Sequence, residues 1–156
     1  MARRSRAREV ALQLLYETDR NPQVPQGLDE RFVRERLRGA ELRQFAGELI
    51  GGVRAKREQL DRLVQEVAQN WSLSRMTPVD RSILRLATYE ILFRDDIPPK
   101  VAVDEAIELA KRFGTADSPR FVNGILDRIL ISHPRDSAAQ TDVQSADAEP
   151  STLSTR

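Results

Sequence analysis

Apolar residues along this chain recur every three or four positions, the spacing of one face of an α-helix, and nowhere in a strict alternation that would suggest a strand. Over residues 3–20 this pattern predicts a first helix. At about 100° per residue, Ala7, Val10, Ala11, Leu12, Leu14 and Leu15 fill one broad face. Arg6, Glu9, Gln13, Tyr16, Glu17 and Arg20 fall together on the opposite side. Asn21-Pro22 ends the helix, and Pro25 and Gly27 belong to the loop after it. A second helix is predicted over 29–38, with Phe32, Val33 and Leu37 as its seam and Gly39 as its breaker. A third spans 40–55 and carries Leu42, Phe45, Ala46, Leu49, Ile50 and Val53. Gly47, Gly51 and Gly52 each weaken that helix by about 1 kcal/mol relative to Ala, and permit close helix crossing instead. A fourth covers 56–69, with Leu60, Leu63, Val64 and Val67.

Residues 71–76 read as a connector, in which Trp71 is expected to plug the space between two bundles. The clearest helix start follows. Thr77 suits the N-cap, Pro78 the first helical position, and Asp80 lies three residues after the cap. This fifth helix runs through Ile83, Leu84, Leu86, Ala87, Ile91 and Leu92 and stops before Asp95-Asp96-Ile97-Pro98-Pro99. A sixth spans about 100–113, with Gly114 as its C′ residue. A seventh starts with Ser118 as N-cap and Pro119 at N1 and ends near residue 131. The fold class is therefore all-α, with one folded domain over 1–134. Beyond Pro134 large apolar residues almost vanish, so 135–156 is expected to be a disordered tail.

Composition narrows the function more than the fold. The chain has 156 residues and no cysteine, which excludes disulfide frameworks, thiolate metal sites and thiol catalysis. No apolar run follows the basic start, and none reaches a membrane span, so a soluble cytoplasmic protein is expected. Net charge is +1, but unevenly spread: residues 135–156 hold a balance of −2, while Arg3, Arg4, Arg6 and Arg8 all precede the first acid, Glu9. The single histidine, His133, sits at the edge of the tail, and neither a phosphate loop nor a dinucleotide fingerprint occurs. Asp95-Asp96 and Asp104-Glu105 read as solvated or helix-start acids rather than metal ligands. An enzyme is not expected, and neither a cofactor nor a metal.

Two stretches carry chemistry. Arginine pairs bidentately with phosphate and stacks on bases, and Arg6 shares its helix face with Gln13 and Tyr16. A cation, an amide and an aromatic ring on one face suit single-stranded RNA; a solvated surface with a marginal Tyr reads equally well. The second stretch is Phe113 to Gly124, which opens the last helix. Its free N–H groups suit an anion, Phe121 suits either a base or the core, and Asp117 suits either base amino groups or the cap. On physics alone the structural roles are favoured there.

These residues resemble the NusB family. The likeness lies in Arg6-Ala7-Arg8-Glu9-Val10-Ala11-Leu12-Gln13-Leu14-Leu15-Tyr16, in Val79 to Leu92, in Val101 to Lys111, and in Asp117-Ser118 with Phe121-Val122-Asn123-Gly124-Ile125-Leu126-Asp127. It covers about residues 3–131. The resemblance implies two packed bundles of three and four helices, drawn here as an N-terminal bundle over 3–70 and a C-terminal one over 71–131. It implies binding of single-stranded boxA RNA from ribosomal RNA operon transcripts, together with ribosomal protein S10 (NusE), and indirect engagement of other Nus factors and RNA polymerase. The RNA-facing positions it implies are Arg3, Arg4, Arg6, Gln13, Tyr16, Asp117, Ser118 and Phe121. Ser5 stands where some relatives have Arg, which removes one phosphate contact. For the protein partner it implies Asp80 first, then Arg81, Arg85 and Glu90. Two rival readings are an accessory domain like those fused to ribosomal RNA methyltransferases and a structural homodimer that covers the basic face; light scattering with and without RNA separates the latter.

Overall fold

The computed structural model describes residues 2–20 and 28–134, all helix or connection, with no strand among them. Among the described residues there are seven α-helices: α1 (Ala2–Arg20), α2 (Leu28–Arg36), α3 (Ala40–Ala55), α4 (Arg57–Ala68), α5 (Pro78–Phe93), α6 (Pro99–Phe113) and α7 (Ser118–Ser132), with a short 3-10 turn at Leu73–Arg75. The periodicity located each of them to within two residues at either end, the usual uncertainty of helix termini. The expected loop residues Pro22, Pro25 and Gly27 and the tail 135–156 lie outside the described residues.

The start of α5 forms as the sequence dictates. Thr77 Oγ1 accepts from the Asp80 N–H at 3.1 Å, and Pro78 takes the first helical position. This helix is the centre of the fold. It packs on α1, α3, α4, α6 and α7, which is why every residue from Ser82 to Ile91 except Tyr89 is buried. Its flanks are α1 with α3 on one side and α6 with α7 on the other. One continuous core results, from Ala7 and Val10 through Leu49, Ile83 and Leu86 to Leu126 and Ile129.

Helix α4 lies against α5 and α7 more than against α3. The apolar stripe of Leu60, Val64 and Ala68 is buried in this packing.

Only one of the three glycines in α3 mediates a close crossing. A Cβ on Gly52 would overlap the ring of Tyr89 on α5, whereas Cβ atoms on Gly47 or Gly51 would meet nothing. The same substitution is thus expected to act with opposite signs. Gly52→Ala should destabilise by about 1–3 kcal/mol through overpacking, while Gly47→Ala and Gly51→Ala should each stabilise by up to about 1 kcal/mol. Urea melts of the three variants check this; a stabilised Gly52→Ala would show that Tyr89 moves aside freely.

Candidate functional site

Helix α1 presents two kinds of arginine. Arg3, Arg4 and Arg6 are exposed, but Arg8 points into the protein at 3% exposure. Its Nε donates to Glu90 Oε1 at 2.9 Å, and another of its nitrogens lies 3.5 Å from Glu105. Burial pushes the Glu90 carboxyl above its ordinary range, against the opposing pull of Arg8. The four arginines that precede Glu9 therefore divide into three for the surface and one for the core. Glu9, expected on the polar face, is likewise buried, and its carboxylate binds Arg112 from the end of α6 and lies 3.5 Å from Arg6.

Arg4 rests its guanidinium 4.2 Å over the Phe45 ring and 3.6 Å from Asp96. Arg94, beside it, pairs with Glu48 at 2.7 Å and Asp96 at 2.9 Å, and its bond to Asp96 holds that carboxyl below the usual carboxylate range. Gln13 and Tyr16 are half-buried along the next two turns of α1, and Arg20 donates to the Tyr16 hydroxyl at 2.9 Å. The exposed edge thus carries cation, amide and aromatic ring in that order.

The Glu9–Arg112 pair brings the α6–α7 turn beside this edge. Gly114 closes α6 with an extended backbone (φ −95°), not the left-handed cap expected of a C′ glycine. Glycine is needed there for space: a Cβ would crowd the Ser118 side chain and the Ala110 carbonyl. Ser118 is not the N-cap. It already lies within the first turn of α7, 1% exposed, where its hydroxyl accepts from the Thr115 N–H at 2.9 Å. A direct RNA contact by Ser118 is therefore replaced by a role in shaping the turn. Asp117 takes the cap position without using its carboxylate for a cap bond, and it is exposed. Phe121 is half-buried and meets Trp71 edge-on, at 5.9 Å between centroids and 74° between planes. Trp71 is no interior plug: 51% of it is exposed.

The positions expected to meet a protein partner are largely engaged within the chain. Arg85 grips Asp61 through two bonds of 2.6 and 3.0 Å and lies 3.2 Å from Asp19. Arg81 donates to Asp19 at 3.0 Å and to the Leu73 carbonyl at 3.0 Å. Burial works to raise the Asp19 pKa, but the Arg81 hydrogen bond and the charges of Arg85 and Arg57 overcome it and hold the carboxyl below its ordinary range. These contacts join α1, α4 and α5. Glu90 and Arg85, buried and ion-paired, offer no direct contact surface. Asp80 is also buried, and its Oδ1 has no hydrogen-bond partner. Among the described residues no cluster of three or more His, Asp or Glu is placed to hold a metal, and no helix is long and apolar enough to cross a membrane.

Arg112 and Trp71 were not legible as site residues. Arg112 ends an ordinary amphipathic helix, and nothing local pairs it with an acid over a hundred positions earlier. For Trp71 a signal existed: an aromatic residue in a polar connector, outside any apolar stripe.

The model of the NusB family matches residues 5–130. The chain is 47% identical over 135 residues to the transcription antitermination protein NusB of Geobacter sulfurreducens, covering 86% of this chain and 98% of that protein. It is 50% identical over 132 residues to that of Desulforudis audaxviator, covering 82% and 93%. Its structure superposes on T. maritima NusB with a TM-score of 0.78 at 38% identity, covering 88% of this chain and 96% of that one. It also superposes, at a TM-score of 0.76, 26% identity and coverage of 85% and 98%, on a chain of a crystal structure of the antitermination factors NusB and NusE in complex with dsRNA. By sequence and by fold alike, this chain belongs to the NusB family.

Proposed function

We propose that this protein is a non-enzymatic, cytoplasmic transcription antitermination factor. It binds single-stranded boxA RNA of ribosomal RNA operon transcripts together with NusE, and so helps to assemble further Nus factors on RNA polymerase. The observation that supports this reading is that Arg3, Arg4 and Arg6 are exposed with Gln13 and Tyr16 half-buried along α1, while the part-buried Glu9–Arg112 pair ties α1 to the end of α6, just before the turn and helix that carry Asp117 and Phe121. Exposed arginines draw in the phosphates and neutralise them. Tyr16 and Phe121 stack bases, and Gln13 and the unspent Asp117 carboxylate read base edges. No bond is made or broken; the two ligands meet on one scaffold, and each favours the other only through an adjoining interface. NusE is placed on the C-terminal helices, with the exposed residues around the α5 start, next to Asp80, as its ground.

The test is binding of a labelled boxA RNA and a scrambled control, with and without NusE, at two salt concentrations. Tighter boxA binding, strengthened by NusE and weakened by salt, is expected. Equal, salt-sensitive binding of both RNAs would reduce the site to a generic basic surface, and no binding even with NusE would remove RNA recognition altogether.

A further inference from the structure

Beyond the α1 edge, on the far side of Phe121, α4 and α7 enclose a groove of about 240 Å³ lined by Asn70, Trp71, Arg120, Phe121, Gly124 and Arg128 among others. We propose that this groove holds one unpaired nucleotide of a single-stranded RNA, its base stacked on Trp71 and its phosphate against Arg120. The proposal rests on the RNA-binding reading above and extends it to a subsite outside the arginine-rich helix.

The platform is rigid where it must be and open where it must be. Gln69, which follows α4, has a φ of +37°, a conformation that L residues rarely adopt, and this kink turns the chain out of the helix toward Trp71. The Trp71 backbone is then fixed at both ends. Its N–H donates to the Ala68 carbonyl at 3.0 Å, and its carbonyl accepts from Gln65 Nε2 at 2.9 Å. The other end of the Gln65 amide accepts from the Leu73 N–H at 2.9 Å. Three bonds immobilise the main chain, while half of the indole stays in solvent with one edge contact to Phe121. A large aromatic ring held out in this way exposes apolar surface that burial would favour covering.

The surroundings specify what covers it. No carboxylate lines the groove, whereas two arginines flank it. Arg128 is anchored by donating to the Val67 carbonyl at 2.9 Å, which also satisfies the end of α4. Arg120 is exposed, and no hydrogen bond or ion pair to it is formed among the described residues, so its guanidinium is available to a phosphate. Between them Gly124 forms the floor, where a Cβ would meet nothing within 4 Å. The volume lies below the ~300–1,000 Å³ of small-molecule pockets and suits a single flat base. An aromatic face with flanking cations and no anion is the chemistry of single-strand stacking platforms. Phe121 belongs both to the proposed RNA-facing residues and to the lining of the groove, so the two surfaces share one side chain.

Trp71 is the only tryptophan in the chain, so its emission reports this groove alone. The full-length protein is titrated with a single-stranded RNA of about twelve nucleotides, within the span such surfaces cover. Quenching of the tryptophan emission is expected, together with about tenfold weaker binding for Trp71→Ala and for Arg120→Ala. Gly124→Leu fills the groove from a position with free space around it. It should keep the melting temperature and still bind about tenfold more weakly, which separates a blocked groove from a damaged fold. Wild-type binding without an emission change, with Gly124→Leu as tight as wild type, would overturn the groove and leave the α1 surface standing. Emission that responds to NusE alone and not to RNA would assign the groove to a protein and overturn the proposal. No RNA binding by the wild type, alone or with NusE, would remove both readings together.

Discussion

Replacing Arg8 by Met is expected to destabilise the protein by about 3–5 kcal/mol, because it strands a charged partner in the interior. For a domain of this size that lowers the melting temperature by on the order of 10 °C. Glu90 is 1% exposed and bonded to Arg8 at 2.9 Å. Without the guanidinium, its carboxylate must stay buried uncompensated or bind a proton. Glu105, the second acid near Arg8, is partly exposed and tolerates the loss through water. Arg8→Met with Glu90→Met together should recover most of the stability, since neither charge is then left alone. The pH dependence supplies a further check. The folded pKa of Glu90 is raised above its unfolded value. Such a group favours the folded state at pH below the unfolded pKa, and this contribution is lost as pH rises through the folded pKa. Removing Arg8 removes the pull that opposes burial, so the Arg8→Met variant should lie closer to wild type near pH 5 than near pH 7.5. Thermal melts of the three proteins at both pH values decide it. A single variant within about 1 kcal/mol of wild type would mean that water reaches the pair.

Replacing Arg4, Arg6 and Phe121 together by Ala should abolish boxA binding, a loss of at least about 100-fold from two phosphate contacts and one stacked base. The folded state should survive the change. Arg4 only lays its exposed guanidinium over the Phe45 ring and lies 3.6 Å from an exposed aspartate, and Arg6 makes a 3.5 Å pair with Glu9, which already holds Arg112. Such surface pairs contribute about 0–1 kcal/mol each. The dependence of affinity on salt carries separate information. Losing two phosphate contacts should flatten the slope of log K against log salt by about 1.4 for a single strand, whereas Phe121→Ala alone should leave the slope unchanged. Arg34 and Arg38, exposed at the end of α2 and just beyond it, provide the control: their removal lowers net charge equally and should leave boxA affinity nearly intact. A triple variant that binds like wild type would place the RNA elsewhere.

Helix positions were legible because each depends on local periodicity and on breakers such as Gly39 and Pro98-Pro99, and local spacing does not change with the fold. The Thr77–Pro78–Asp80 start was legible for the same reason: a cap bond spans three residues. Reading Ser118 as a second cap failed because the α6–α7 turn uses its hydroxyl one residue inside the helix, a choice set by how closely Gly114 lets the two helices approach. The interpretation of charges failed more often. Arg8, Glu9, Arg85 and Glu90 are as polar as their exposed neighbours on the page, and only partners 82, 103 or 24 positions away make their burial tolerable.

By itself, then, the sequence determined seven helices, their apolar faces, the family and the basic character of the first helix, since all of these are properties of residue type and spacing. The tertiary structure alone decided which arginines of α1 face water, that α4 lies against α5 and α7 more than against α3, and that Trp71 stands outward beside Phe121. The physical reason is that burying a charge or exposing an aromatic ring depends on what lies opposite it in space, and helix spacing carries no record of the opposite wall.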